Sequence, residues 1–163
     1  MSTIIKNALI LTMEESAPVK QGDIVIENGR FAQVGGMAQV KDGDEVIEAG
    51  HHVAMPGFVN AHAHSPMTLL RGVGDDLPLD RWLTEAIFPL EANLQDGDCY
   101  WGTMAAAAEM IAGGTVLFLE MYQAADEIAK ATAESGMRGL ITRGVAFRAE
   151  DEAAAMGRIK RLE

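Results

Sequence analysis

The chain has 163 residues, of which 48% are hydrophobic and 23% charged, a composition typical of a globular protein with one sizeable core. Its formal net charge of -11 disfavours nucleic acid and anionic membrane surfaces as partners, because their phosphates would be repelled. The single cysteine, Cys99, excludes an intrachain disulfide and indicates an intracellular protein.

Targeting and membrane segments are not predicted from the sequence. The first eleven residues are interrupted by Lys6 and Asn7 and lack both a basic leader and a cleavage site of small residues. No apolar run approaches the roughly 20 residues of a membrane span. We therefore expect a soluble, cytoplasmic protein that does not bind membranes.

Short β-branched segments separated by turns fill the first third of the chain. They are predicted as strands at residues 3–5, 8–12, 23–27, 30–34 and 45–48. Asn28-Gly29 separates two of them and is a strong signal for a type I′ hairpin, which needs positive φ at both central residues. The pattern predicts a β-rich unit over residues 1–55.

The next segment runs from Pro56 through an apolar stretch to two histidines, His62 and His64. In an extended strand their side chains point to the same side, about 7 Å apart along the backbone. Two imidazoles so placed can bind one cation, although a histidine at a strand end is often only a polar residue. Their place at the carboxyl end of a strand fits the face where parallel α/β barrels carry their active sites.

Helical patterns follow this strand. Residues 66–71 predict a short helix, and Pro78 suits the first turn of a second one. Pro89 should kink or end that helix and leave Glu91 displayed at the break. Asp96 is a candidate N-cap for a third helix over residues 97–112. The predicted apolar face of the second helix consists of Leu79, Trp82, Leu83, Ala86 and Ile87.

Residues 115–119 form an unbroken apolar run, which is typical of a parallel strand covered on both faces. A helix at 124–135, a strand at 139–142 and a helix at 150–162 follow. This alternation predicts the α/β class and the beginning of an α/β barrel. Because a complete (β/α)8 barrel needs about 250 residues, we expect residues 56–163 to contain only its first βα units.

Two stretches, PGFVNAHAHSPMTLLRGVGDDLPLDRWL and IFPLE, resemble the amidohydrolase superfamily. Within its aminohydrolase branch they are most similar to 5-methylthioadenosine/S-adenosylhomocysteine deaminases, while s-triazine hydrolases and guanine deaminases share the paired histidines. The resemblance implies the N-terminal portion of such an enzyme: strands of a small β-sandwich over residues 1–55, then an incomplete TIM-type barrel over residues 56–163.

The resemblance also implies a metal site. His62 and His64 would bind Zn²⁺, with Fe²⁺ as the alternative, and a metal lowers the pKa of a bound water towards roughly 7. A catalytic zinc needs about three protein ligands. In the family the remaining ligands, two histidines and an aspartate, and the glutamate that moves protons come from later strands. We therefore expect no catalytic residue within residues 1–163.

Three residues match substrate-binding positions of the family. Glu91 resembles an acceptor for ribose hydroxyls, although a solvated carboxylate at a helix end is an equally simple interpretation. Arg143 matches an arginine directed at the thio-substituent or carboxylate end of the substrate, with a surface charge as the alternative. Arg148 is a further candidate. Glu120 stands where many relatives carry aspartate, and we expect a supporting or structural role.

The function implied is metal-dependent hydrolytic deamination of adenosine-type thioether nucleosides, through attack on C6 of the adenine ring and loss of ammonia. The alternatives are an s-triazine hydrolase, a guanine or other base deaminase, or an inactive truncated fragment. We expect residues 1–163 alone to be inactive. A small nucleoside is the expected partner, and a homodimer is expected because dimers are common in the family.

Overall fold

The computed structural model describes residues 1–143. The chain divides into two compact units, Met1–Pro56 and Gly57–Glu163. The helix predicted at residues 150–162 lies outside the described residues. No helix among residues 1–143 combines the length and the apolarity that crossing a membrane would require.

The first unit is a β-sheet whose core consists of small and branched apolar side chains. Its strands are β1 Thr3–Leu11, β2 Val19–Glu27, β3 Arg30–Val34, β4 Glu45–Glu48 and β5 Val53–Ala54. The order is β3-β2-β1-β4, with β5 also paired to β1. Strand β2 is antiparallel to β1 and β3, whereas β4 and β5 run parallel to β1. The buried cluster is Ala8, Ile10, Ile24 and Ala49.

The two strands predicted before residue 12 are one strand with an irregularity. The register of β1 against β2 shifts between Ile5 and Ala8, and Asn7 has φ 61 there. The buried Asp23 carboxylate accepts hydrogen bonds from the backbone N–H of Asn7 at 2.9 Å and of Ala38 at 2.7 Å. The bonds from Ala38 and then Asn7 lower the pKa of Asp23 because they favour its charged form.

The predicted hairpin is confirmed. Asn28 and Gly29 have φ values of 51 and 72, and they join β2 to β3 as an antiparallel pair. These are the positive φ values that a type I′ turn requires at both central residues. The local sequence signal therefore determined this turn.

The second unit contains a parallel sheet, as predicted. Its strands are β6 Phe58–Ala63, β7 Thr115–Tyr122 and β8 Arg138–Arg143, in the order β6-β7-β8. Both pairs are parallel. Strand β7 extends three residues past the predicted end, which brings Glu120 and Tyr122 into it. Strands β6 and β8 are edges in the part of the chain that the structure describes, and Leu140 of β8 is 62% exposed.

Helices connect these strands. They are a 3₁₀-helix Ser65–Leu70, α1 Leu79–Arg81, a π-helical segment Trp82–Ile87, α2 Phe88–Glu91, α3 Asp98–Ala112 and α4 Ala125–Ser135. Helix α3 packs closely on the 3₁₀-helix, since a Cβ at Gly102 would lie 2.6 Å from the carbonyl oxygen of Pro66. Glycine at 102 therefore permits the backbone of α3 to approach the segment that follows His64.

Of the two outcomes predicted for Pro89, a kink or an end of the second helix, an end at the proline itself is wrong. The helix continues to Glu91, and a π-helical segment precedes the proline. There the N–H of Phe88 bonds to the carbonyl of Leu83, five residues back. Such widened turns relieve a local break in the α-helical hydrogen-bond pattern.

The predicted apolar face of this helix is buried only in part. Leu79, predicted to be buried, is 67% exposed, whereas Ile87 is buried.

The predicted N-cap of α3 is also wrong. Helix α3 begins at Asp98, and no side chain of the preceding residues caps it. Instead, the Glu127 carboxylate of α4 accepts the backbone N–H groups of Gly97 at 3.0 Å and Tyr100 at 3.1 Å. A carboxylate beside a helix N-terminus is favourable because it compensates the helix dipole. The cap is supplied from 30 residues away, so a local pattern could not predict it.

Candidate active site

The two histidines meet at the carboxyl end of β6. His62 lies within the strand, and His64 is the residue that precedes the 3₁₀-helix. Their Nε2 atoms are 3.3 Å apart, and the rings meet edge to face with centroids 4.9 Å apart. The shared orientation expected from strand alternation therefore brings the two side-chain nitrogens into contact.

The tautomer of His64 follows from the hydrogen bond that its Nδ1 atom makes. His64 Nδ1 lies 2.5 Å from the carbonyl oxygen of Met121 in β7. A carbonyl oxygen only accepts hydrogen bonds, so Nδ1 carries a proton, and in the neutral imidazole Nε2 then keeps its lone pair. Metal-binding histidines are commonly oriented in this way, by a hydrogen bond from the other ring nitrogen to a carbonyl or carboxylate.

The spacing of the two Nε2 atoms fits a metal ligand pair. Two nitrogens bound to one tetrahedral zinc at about 2.0–2.1 Å are separated by about 3.3 Å, which is the distance between His62 and His64. A hydrogen bond from His62 to the lone pair of His64 would give a similar separation. Among residues 1–143 no cluster of three or more metal-binding side chains occurs, so these residues supply two ligands at most.

Glu120 supports the backbone next to the histidines. Its side chain is fully buried, and Oε2 accepts the backbone N–H of Ser65 at 2.6 Å. The hydroxyl of Ser65 is 3.1 Å from that of Thr103 in α3. The other oxygen, Oε1, has no hydrogen-bond partner among residues 1–143. Glu120 thus fixes the backbone of the residue that follows His64.

Glu91 is the last residue of α2, and its carboxylate is not simply solvated. Oε1 accepts the phenolic O–H of Tyr122 at 2.7 Å. Burial and then the bond to Glu91 raise the pKa of Tyr122, because both disfavour the phenolate. The Tyr122 ring centroid is 6.0 Å from that of His64. One tyrosine therefore lies next to both the histidine pair and Glu91.

Arg143 is the last residue of β8 and pairs in register with Tyr122 of β7. Its guanidinium donates to Oδ1 of Asp126 at 3.1 Å, and the two side chains are 52% and 90% exposed. Exposed pairs of this kind are weak, so the arginine can exchange partners at little cost. Arg148, the other candidate arginine, lies outside the described residues.

Sequence reasoning did not identify Tyr122 or the carbonyl of Met121 as parts of this site. Strand alternation offers one signal: Tyr122 lies two residues after Glu120 and so on the same side of β7. The carbonyl of Met121 leaves no trace in the sequence, because every residue has one. Both depend on how β7 pairs with β6.

Comparisons with known proteins agree with the resemblance. The profile of the amidohydrolase family matches residues 53–163. A 5-methylthioadenosine/S-adenosylhomocysteine deaminase of Desulforamulus reducens is 49% identical over 146 residues, which are 87% of this chain and 34% of that protein. A 5'-deoxyadenosine deaminase of Methanobrevibacter smithii is 42% identical over 149 residues, 91% of this chain and 34% of that protein. The chain spans about a third of the length of these relatives.

Solved structures resemble the chain over almost its whole length. An adenosine deaminase from Xanthomonas campestris with bound zinc has a TM-score of 0.77 at 32% identity, covering 98% of this chain and 38% of that one. An atrazine chlorohydrolase from Arthrobacter aurescens, complexed with zinc, has a TM-score of 0.81 at 17% identity, covering 92% and 37%. The predicted fold class, the N-terminal part of an α/β barrel preceded by β-sandwich strands, is confirmed.

Proposed function

Since the chain belongs to the amidohydrolase family, we propose that it provides the N-terminal half-site of a metal-dependent hydrolytic deaminase of adenosine-type thioether nucleosides. Relatives with deaminase names, 5-methylthioadenosine/S-adenosylhomocysteine deaminase and 5'-deoxyadenosine deaminase, support a nucleoside substrate. They also support hydrolysis of a C–N bond that is not a peptide bond. The substrates proposed are 5-methylthioadenosine and S-adenosylhomocysteine.

The observation that carries the proposal is the geometry of the histidine pair. Its Nε2 atoms lie 3.3 Å apart, and the hydrogen bond from His64 Nδ1 to the carbonyl of Met121 leaves Nε2 as the metal-binding nitrogen of the neutral ring. We propose Zn²⁺ as the ion, as in the structurally similar adenosine deaminase with bound zinc, with Fe²⁺ as the alternative. When bound, such an ion lowers the pKa of a water molecule to near neutrality. The remaining ligands and the proton-transferring group would come from outside residues 1–143.

The other residues of the proposed site bind and orient the substrate. Glu91 would accept hydrogen bonds from the two ribose hydroxyls, since a carboxylate offers about four acceptor positions and Tyr122 uses one. Arg143 would leave its exposed contact with Asp126 to meet the thio-substituent or carboxylate end. Arg148, beyond the described residues, is proposed for the same end of the substrate.

The principal alternative is a base deaminase or triazine hydrolase of the same family. The structural likeness to atrazine chlorohydrolase concerns the fold alone, at 17% identity. A substrate panel on the protein expressed from its complete reading frame separates the candidates: 5-methylthioadenosine, S-adenosylhomocysteine, adenine, guanine and atrazine, with ammonia or chloride release as the readout. We expect turnover of the two nucleosides. Equal or faster turnover of free bases or atrazine would overturn the proposal.

Glu91→Gln should weaken nucleoside binding without changing metal content. The amide still accepts one hydrogen bond but loses charge-assisted bonding, which is worth about 1.5–3 kcal/mol per bond. We expect KM for 5-methylthioadenosine to rise at least about tenfold, as measured by steady-state kinetics alongside elemental analysis. Glu85→Gln is the matched control, because Glu85 lies in the preceding helical segment and forms an exposed ion pair with Arg81. An unchanged KM would return Glu91 to a structural role.

Residues 1–163 expressed alone should associate and show no deaminase activity, even with added zinc. Two histidine ligands do not complete a catalytic zinc site. Strands β6 and β8, which are sheet edges among residues 1–143, present backbone groups and exposed apolar side chains such as Leu140 to other copies. Size-exclusion chromatography, thermal unfolding and an ammonia-release assay test this. A monomer with one cooperative transition would contradict the edge argument, and turnover would contradict the half-site argument.

We also propose a cytoplasmic location and a homodimeric assembly for the full enzyme. The single cysteine supports the first, since a chain without an intrachain disulfide fits a reducing compartment. The homodimer is proposed because dimers are common in the family.

A further inference from the structure

We propose that Tyr122 is a positioning residue that sets the distance between the histidine pair and Glu91, and thereby favours nucleosides that carry the ribose diol over substrates that lack it. This inference rests on the proposed function, because it assigns Glu91 to the ribose hydroxyls. Neither the family match nor any relative's name assigns a role to Tyr122. The contacts of three consecutive residues in β7 carry the argument.

Residues 120–122 of β7 hold three successive parts of the site. The carboxyl group of Glu120 accepts the backbone N–H of Ser65. The carbonyl of Met121 orients the ring of His64. The phenol of Tyr122 donates to Glu91. A single rigid strand therefore fixes the metal-binding end and the proposed ribose-binding end relative to each other.

The Tyr122 side chain is well suited to a fixed spacer. Tyr122 is only 9% exposed, and its core cluster contains the fully buried Ile128 and the nearly buried Cys99. A ring packed in this way has few rotamers available, so its hydroxyl has a defined position. The ring centroid lies 6.0 Å from that of His64, and the hydroxyl lies 2.7 Å from Glu91 Oε1.

The hydrogen bond also leaves Glu91 able to bind a diol. Its carboxylate has about four acceptor positions, and the phenol occupies one of them on Oε1. Oε2 and the second position of Oε1 remain for two vicinal hydroxyls. Among residues 1–143 Tyr122 is the only hydrogen-bond donor recorded on this carboxylate. Removal of the phenolic hydroxyl would therefore free Glu91 to rotate away from the diol.

The test compares Tyr122→Phe with wild type in the protein expressed from its complete reading frame. The substrates are adenosine and 2′,3′-dideoxyadenosine, which differ only in the diol. Tyr100→Phe is the matched control, because Tyr100 also donates its hydroxyl to a glutamate, Glu134, at 2.6 Å on an exposed surface. Metal content and melting temperature are measured for each variant, and Tyr122→Phe is repeated in a Glu91→Gln background.

We expect Tyr122→Phe to raise KM for adenosine about tenfold, which corresponds to the loss of about one hydrogen bond between the substrate and a charged group. KM for the dideoxy analogue, kcat, metal content and the kinetics of Tyr100→Phe should be unchanged. In the Glu91→Gln background the substitution should have no further effect on KM.

Equal losses for the two nucleosides, or an undiminished effect in the Glu91→Gln background, would overturn the inference and leave Tyr122 a packing residue. KM values of Tyr122→Phe equal to those of wild type would also overturn the inference. These outcomes are distinct from failure of the proposed function, in which the wild-type protein itself would show no turnover of nucleosides.

Discussion

His64→Ala is expected to abolish metal binding and deaminase activity in the protein expressed from its complete reading frame. The substitution removes the imidazole whose Nε2 lies 3.3 Å from that of His62, and no other metal-binding group clusters with the pair among residues 1–143. Loss of a residue that merely orients a ligand costs about 10–100-fold in metal affinity or activity. Loss of the ligand itself should exceed that, so we expect less than about 1% of wild-type activity.

His62→Ala should behave in the same way, because the proposed site needs both imidazoles. His51→Ala and His52→Ala are matched controls, since these exposed histidines belong to the first unit and lie outside the pair. Elemental analysis and ammonia release are measured for all four variants. Full metal content together with retained activity in His62→Ala or His64→Ala would refute the metal assignment, whereas losses in the controls would point to a general effect on folding.

Glu120→Ala is expected to destabilise the second unit by about 3 kcal/mol and to weaken metal binding. The substitution leaves the buried N–H of Ser65 without its 2.6 Å partner, at a cost of about 1–3 kcal/mol. It also leaves a cavity in a site where the side chain is fully buried. Because Ser65 follows His64 directly, a shift of its backbone would move the imidazole away from His62. A metal affinity lower by about 10–100-fold is therefore expected.

Glu120→Gln is the matched control, because the amide oxygen still accepts the N–H of Ser65 and the side-chain volume is preserved. We expect Glu120→Gln to keep most of the stability and most of the metal affinity. Urea unfolding gives the change in the free energy of unfolding, and competition with a chelator gives the metal affinity. An unfolding midpoint for Glu120→Ala equal to that of wild type would show that this hydrogen bond contributes nothing measurable.

Local sequence patterns determined the elements on which the proposed site is built. Asn28-Gly29 predicted its hairpin because positive φ at two successive residues is a local property. The unbroken apolar run at residues 115–119 predicted a parallel strand, and β7 does pair in parallel with β6 and β8. The predicted cover on both faces is not complete among residues 1–143, because Val116 of β7 is 45% exposed. The motif around His62 and His64 indicated the family, which the profile match confirms. The assignments of these histidines, Glu91 and Arg143 to metal and substrate remain predictions.

Tertiary structure alone decided how those elements are joined. The N-terminus of α3 is capped by Glu127 of another helix. The ring of His64 is oriented by the carbonyl of Met121, and Glu91 is held by Tyr122. These contacts join residues between 27 and 57 positions apart. Strand and helix periodicity extends over only a few residues, so the sequence placed each side chain on an element. The pairing of β6 with β7 brought the histidine pair next to Tyr122, and the Tyr122 hydroxyl contacts Glu91 of α2.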